Sequence, residues 1–293
     1  NGFHIDIKTN KQYEISASCS HGVLLNDKQR TNAYYIDIEN KKFYEIKLPI
    51  QKAYFDDADN LLLESSGKTY IYSVGNAPVE LNSYYYSSDT YVKRSQDVYG
   101  PHQIYKSSSL VGELENCQCY PNVERVHSQI FPVYIRDTGY QFYNFDGKKV
   151  IDKTYQEANP FDSSGRAIVK IDNKGYSLID ETGNVLTKDA YYSIKYIGSS
   201  YYAVYNEVGM FGVIDLEGKE VFSMEYTYLP EQAYVKYHQE EFLLLNKNGR
   251  SYIYDIQNDL KEVCSGEGEV TFNSKGYFKI GNTYYTIEGK QIK

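Results

Sequence analysis

Apolar and aromatic residues occur along this chain in short, strand-length runs, and small polar residues interrupt them at regular distances. Ala167-Ile168-Val169-Lys170-Ile171, Tyr201-Tyr202-Ala203-Val204-Tyr205 and Tyr252-Ile253-Tyr254-Asp255-Ile256 set bulky groups at consecutive positions. Successive side chains of a strand point to opposite faces, so such runs predict strands whose sheet is covered on both sides. No window of helix length carries an apolar stripe of 3.6-residue period. No helix longer than about two turns is therefore expected, least of all between Val133 and Phe222.

The interruptions repeat. A pattern of strand, Asp or Asn, Gly or Asn, Lys, strand recurs with its small residue at Asn10, Asn40, Gly75, Gly112, Gly147, Gly183, Gly218, Asn258 and Gly289. The intervals are 30, 35, 37, 35, 36, 35, 40 and 31 residues. Gly and Asn tolerate positive φ, so between apolar runs they predict tight hairpin turns, with Gly147, Gly183 and Gly218 in equivalent turns of successive units. A unit of about 35 residues holds three or four strands and no helix.

The units between Val133 and Phe222 are the best formed. One reads Tyr155-Gln156-Glu157-Ala158, then Phe161, then Gly165-Arg166-Ala167-Ile168-Val169, then Lys174-Gly175-Tyr176-Ser177-Leu178-Ile179-Asp180-Glu181-Thr182-Gly183-Asn184-Val185-Leu186. The next repeats its core as Phe211-Gly212-Val213-Ile214-Asp215-Leu216-Glu217-Gly218-Lys219-Glu220-Val221. This pattern resembles the bacterial WG repeat, also called the KWG repeat, in a degenerate form. Tyr176-Ser177 and Phe211-Gly212 stand where the family has Trp-Gly, and the chain has no Trp. The resemblance implies an all-β repeat fold and no particular chemistry.

Continuous apolar strands in about eight repeats predict one all-β repeat domain over residues 1–293, expected as a closed seven- or eight-bladed β-propeller. Stacked blades cover both faces of each sheet and leave only short edges. The alternative is an open solenoid of stacked hairpins, which needs polar caps. No dedicated cap is visible at either end, and the strand at Phe3–Ile7 is expected to complete the last blade.

Composition narrows the function. The net charge of −8 excludes the basic footprint of a nucleic-acid binder. Apolar stretches such as Phe242-Leu243-Leu244-Leu245 fall far short of the roughly 20 residues of a membrane span. The chain begins at Asn1, which reads as a leader or anchor removed and leaves the location unknown, with an extracytoplasmic one, secreted or lipid-anchored, favoured. Four cysteines in 293 residues do not make a disulfide scaffold.

Local catalytic motifs are absent: there is no Gly-x-Ser-x-Gly elbow, phosphate-cradling glycine loop or His-Glu-x-x-His pair. Residues 99–127 depart most from the repeat and contain His102, Cys117, Cys119 and His127, but Cys-x-Cys in a strand lacks the tight turn of common zinc patterns. They read as semi-buried thiols and surface imidazoles. Asp56-Asp57-Ala58-Asp59-Asn60 lacks the Gly and distal Glu of a calcium loop and reads as an Asx turn starting a strand. No metal or cofactor is assigned.

Tyrosine is the unusual resource, at 34 residues. Most are expected to fill seams between sheets. Tyr84, Tyr85, Tyr191 and Tyr192 follow polar or loop-like residues and are the candidate partner-binding residues, at least two of them expected on the surface. The leading function is a non-catalytic module that presents loops and tyrosines to a protein or glycan. The alternative is a cell-envelope glycoside hydrolase or lyase whose carboxylates converge on a funnel without a local motif.

Overall fold

The recurring turn has one geometry. In Asn144–Lys148, Asp180–Asn184 and Asp215–Lys219 the first residue's Oδ1 accepts hydrogen bonds from the backbone N–H groups two and four positions on, at 2.9–3.1 Å. The N–H of Gly147, Gly183 or Gly218 donates to the carbonyl of that first residue. The three glycines have φ of +74°, +83° and +74°. A short polar side chain thus organises the loop while glycine takes the left-handed backbone, which makes the three turns equivalent.

The structure is a computed structural model that describes residues 13–95, 97, 100–107, 109–118 and 124–292. The mark at Asn10, the strand expected at Phe3–Ile7 and Cys119 lie outside the described residues. Among the described residues there are thirty-two strands in eight sheets, and the helical content is one 3₁₀ turn, Asp172–Lys174. Chain contacts divide the protein into two compact units, Asn1–Thr154 with Pro160–Asp162 and Tyr155–Asn159 with Ser163–Lys293.

The first unit carries four sheets. Tyr13–Ser18, Gly22–Asp27, Ala33–Asp37 and Lys42–Ile46 make the first, and Lys52–Phe55, Leu61–Ser65, Lys68–Tyr72 and Val79–Leu81 the second. The third joins Tyr84–Ser87, Thr90–Lys93, His102–Lys106 and Ser109–Leu114, with Glu124–Arg125 added parallel to its first strand. The fourth joins Cys117–Gln118, Ile130–Ile135, Gly139–Asn144 and Lys149–Tyr155.

The second unit carries the other four. In the fifth sheet Glu157–Ala158, Arg166–Lys170 and Tyr176–Asp180 are strands, and residues 185–191 edge the last of them through bridges at Val185 and Tyr191. The sixth is Ser193–Gly198, Tyr201–Tyr205, Phe211–Ile214 and Glu220–Tyr226. The seventh is Tyr234–Tyr237, Glu240–Lys247, Arg250–Asp255 and Lys261–Glu267, and the eighth Val270–Phe272, Phe278–Ile280, Thr283–Tyr285 and Gln291–Ile292. Sequential antiparallel strands in successive sheets are the blade order of a propeller-like repeat fold.

The apolar runs are buried as their pattern requires. Alternate residues of one strand enter different cores: Leu62 packs with Leu81 and Tyr91, whereas Leu61 and Leu63 pack with Leu24 and Tyr35. In the second unit Phe242 and Leu244 join Val270 and Phe278, while Leu243 and Leu245 join Ala203 and Phe211. Outer strands such as Lys42–Ile46 and Ser109–Leu114 are mostly exposed.

One turn mark is corrected. Gly112 lies inside the strand Ser109–Leu114, paired with Ile104, and the hairpin turns instead at Ser107, φ +49°. Gly112 is half-buried beside a β-bulge in the pairing with His102–Lys106, its φ is not left-handed, and a Cβ there would meet nothing within 4 Å.

Candidate functional site

In the second unit the connector from the fifth to the sixth sheet builds a groove. Tyr191 exchanges two backbone hydrogen bonds with Tyr176, at 2.7 and 2.8 Å, and the N–H of Tyr192 donates to the Tyr205 carbonyl at 2.9 Å. Consecutive tyrosines are thereby fixed to neighbouring sheets. The close approach requires Gly175, whose φ is +105° and where a Cβ would stand 2.5 Å from the Tyr191 carbonyl oxygen.

The groove has a volume of about 790 Å³ and is lined by Tyr176, Tyr191, Tyr192 and Tyr205, by Asp189, Glu207 and Glu220, and by Asn173, Lys174 and Asn206. A second hollow of about 320 Å³ shares Tyr192, Ser193, Tyr205, Asn206 and Glu207, so the groove continues past Tyr192. Tyr192 is 65% exposed, a large ring held at the surface.

At the groove's end the Tyr176 hydroxyl donates to Glu157 Oε2 at 2.6 Å, and Lys170 Nζ donates to Glu157 Oε1 at 3.1 Å while lying 5.4 Å from the Tyr176 ring centre. The Glu157 bond, with burial, pushes Tyr176 up to about 12, and the same bond, with Lys170, holds Glu157 below the usual carboxylate range. Burial raises Tyr191, assisted by Asp189 and Glu220, and burial alone raises Tyr205. The three phenols stay protonated donors at neutral pH, among carboxylate and amide acceptors.

Of the sequence-predicted residues, Tyr191 and Tyr192 are brought together here. Tyr84 and Tyr85 are corrected: both are buried, at 0% and 3% exposure. Their strand is covered on both faces, so alternation sends Tyr84 into a core with Val92 and Phe131, and Tyr85 into one with Leu62 and Tyr91. Tyr176, Tyr205, Glu207 and Glu220 were not singled out from the sequence. The one available signal was Tyr176 at the aromatic position of the repeat.

In the first unit the acidic stretch forms the expected Asx turn: Asp56 Oδ1 accepts from the N–H of Ala58 and of Asn60, each at 2.9 Å. Tyr85 Oη donates to Asp56 Oδ2 at 3.2 Å, and Arg125 pairs with Asp56 at 3.6 Å and with Asp57. His102 is corrected from the surface to full burial, its Nδ1 2.8 Å from the Gly100 carbonyl and 4.0 Å from the buried Cys117 sulfur. His127 faces Asp57 at 4.0 Å.

The family model described as WG containing repeat matches residues 142–174, which end in the strand and 3₁₀ turn that supply Lys170, Asn173 and Lys174 to the groove. A sequence comparison with curated proteins returns no match. Among solved structures the chain is similar to a eukaryotic initiation factor, at 12% identity over 99% of this chain and 89% of that one, with a TM-score of 0.51. It is also similar to the computationally designed Ika8 protein, at 11% identity over 96% of each chain and a TM-score of 0.37. BamB from Moraxella catarrhalis follows at 10% identity over 82% of each chain and a TM-score of 0.33. At such identity the likeness to the initiation factor bears on the fold alone: an all-β, propeller-like repeat protein carrying a WG repeat. Among the described residues no helix is long and apolar enough to cross a membrane.

Proposed function

We propose that the chain, as one repeat domain, is a non-catalytic binding module whose groove at Tyr191 and Tyr192 takes a glycan. The observation that carries this reading is a flat ring, Tyr192, 65% exposed, in a groove whose lining also offers phenols, carboxylates, amides and the ammonium groups of Lys170 and Lys174. A sugar has an apolar C–H face that suits an aromatic ring and a rim of hydroxyls that both donate and accept. The continuation past Tyr192 suits an oligosaccharide over a single sugar. Lys170 is paired with Glu157, and Asp189, Glu207 and Glu220 outnumber the remaining lining cation, Lys174, which disfavours a phosphate-bearing ligand.

The test is calorimetric titration of the full chain with cello-, xylo- and chito-oligosaccharides. At least one is expected to bind, and Tyr192→Ala is expected to weaken it at least tenfold, about 1.4 kcal/mol, with an unchanged melting temperature. No binding by any of them, or binding indifferent to Tyr192→Ala, overturns the glycan reading. Cleavage of a bound oligosaccharide overturns the non-catalytic part and favours the hydrolase or lyase.

A further inference from the structure

In the first unit two neighbouring hairpin turns bring together a thiol, an imidazole and a carboxylate. Cys19 and His21 lie in the turn between Tyr13–Ser18 and Gly22–Asp27, and Asp59 in the turn between Lys52–Phe55 and Leu61–Ser65. One donor atom from each lies within 4.8 Å of the other two, and His21 Nδ1 stands 3.3 Å from Asp59 Oδ2. Cys19 is in no disulfide.

We propose that Cys19, His21 and Asp59 form a binding site for a borderline divalent transition-metal ion, Zn²⁺ in the first instance. Metal–donor lengths of about 2.0–2.3 Å at tetrahedral angles place donor atoms roughly 3.3–3.6 Å apart, which the His21–Asp59 pair already meets. The cysteine sulfur, within 4.8 Å of both other donors, completes the set by closing to the same range when the ion binds. One sulfur, one nitrogen and one oxygen donor suit Zn²⁺ and not Ca²⁺ or Mg²⁺, which take oxygen ligands. Three protein ligands leave a fourth position for water or an exogenous donor.

The backbone holds both turns in place. The Cys19 N–H donates to the Gly22 carbonyl at 2.9 Å and the Asp59 N–H to the Asp56 carbonyl at 3.1 Å, with Asp59 in the left-handed region at φ +58°. Of the turn's three carboxylates, Arg125 engages Asp56 and Asp57, and Asp59 is the one that pairs with His21. The Tyr35 hydroxyl lies against Gly22, where a Cβ would stand 2.0 Å from it, so a phenol donor abuts the cluster. The Ser20 hydroxyl, now 2.9 Å from His21 Nδ1, would rotate away when the metal binds. All three ligands come from turns that reach solvent, so the ion has an entry path.

The experiment is titration of the full chain with Co²⁺ as a spectroscopic probe and with Zn²⁺ by calorimetry. One equivalent is expected, with the thiolate-to-cobalt charge-transfer band and the visible bands of four-coordinate Co²⁺, and Zn²⁺ is expected to raise the melting temperature by mass action. Cys19→Ala should abolish the charge-transfer band, and His21→Ala and Asp59→Asn should each weaken Zn²⁺ at least tenfold. The side chains reach solvent, so the variants should fold, which their melting temperatures without metal check. No band at one equivalent, a band that survives Cys19→Ala, or Zn²⁺ affinity unchanged in either other variant overturns the three-ligand site.

Discussion

Gly209 and Gly218 occupy the same position of the same turn, with φ of +81° and +74°, but differ in what surrounds them. A Cβ on Gly209 meets nothing within 4 Å, whereas one on Gly218 would stand 2.5 Å from the Leu186 carbonyl oxygen and 2.6 Å from its carbon. Replacement by Ala at Gly209 carries only the left-handed backbone penalty, about 1–2 kcal/mol. The chain itself accepts that penalty at the equivalent positions Arg30, φ +56°, and Asp59, φ +58°. At Gly218 the neighbouring backbone must also shift, which adds about 1–3 kcal/mol, so Gly218→Ala is expected to lose about 2–5 kcal/mol in all. Urea unfolding measures both, read from the midpoint at constant slope. Losses equal to within about 0.5 kcal/mol would show that the Gly218 turn does not press on residue 186, and the packing argument would be refuted.

Tyr84→Ala is expected to lower stability by about 3–5 kcal/mol through the cavity it leaves, far more than Tyr192→Ala, and a thermal-melt comparison separates core from surface. Glu157 has a folded pKa below its ordinary 4.5 because of Tyr176 and Lys170, so its contribution is present above pH 4.5 and is lost as pH falls through the folded value. The melting-temperature difference between the wild type and Glu157→Gln should therefore be largest near neutral pH and shrink as pH falls below 4.5; a difference constant with pH would refute the pairing.

What the sequence determined by itself is local or periodic. The period, the Asx-and-glycine turn at Asn144, Asp180 and Asp215, and the doubly covered strands follow from neighbours within a few residues and from side-chain alternation, which one strand reports unaided. The Asx turn at Asp56 was legible for the same reason. What the tertiary structure decided is which surfaces meet. Tyr84 and Tyr85 follow polar or loop-like residues just as Tyr191 and Tyr192 do, yet the former lie in a strand with a core on each face and the latter in a connector that only edges its sheets. The cysteines and histidines of residues 99–127 look gathered in sequence, but His102 is buried against Cys117 while His127 faces Asp57. Cys19 and His21 meet Asp59 across 40 and 38 residues, about one repeat, so the same hairpin of two successive sheets supplies one cluster. Local pattern specifies each sheet; only stacking one sheet on the next places donors from separate repeats within a few ångströms of each other.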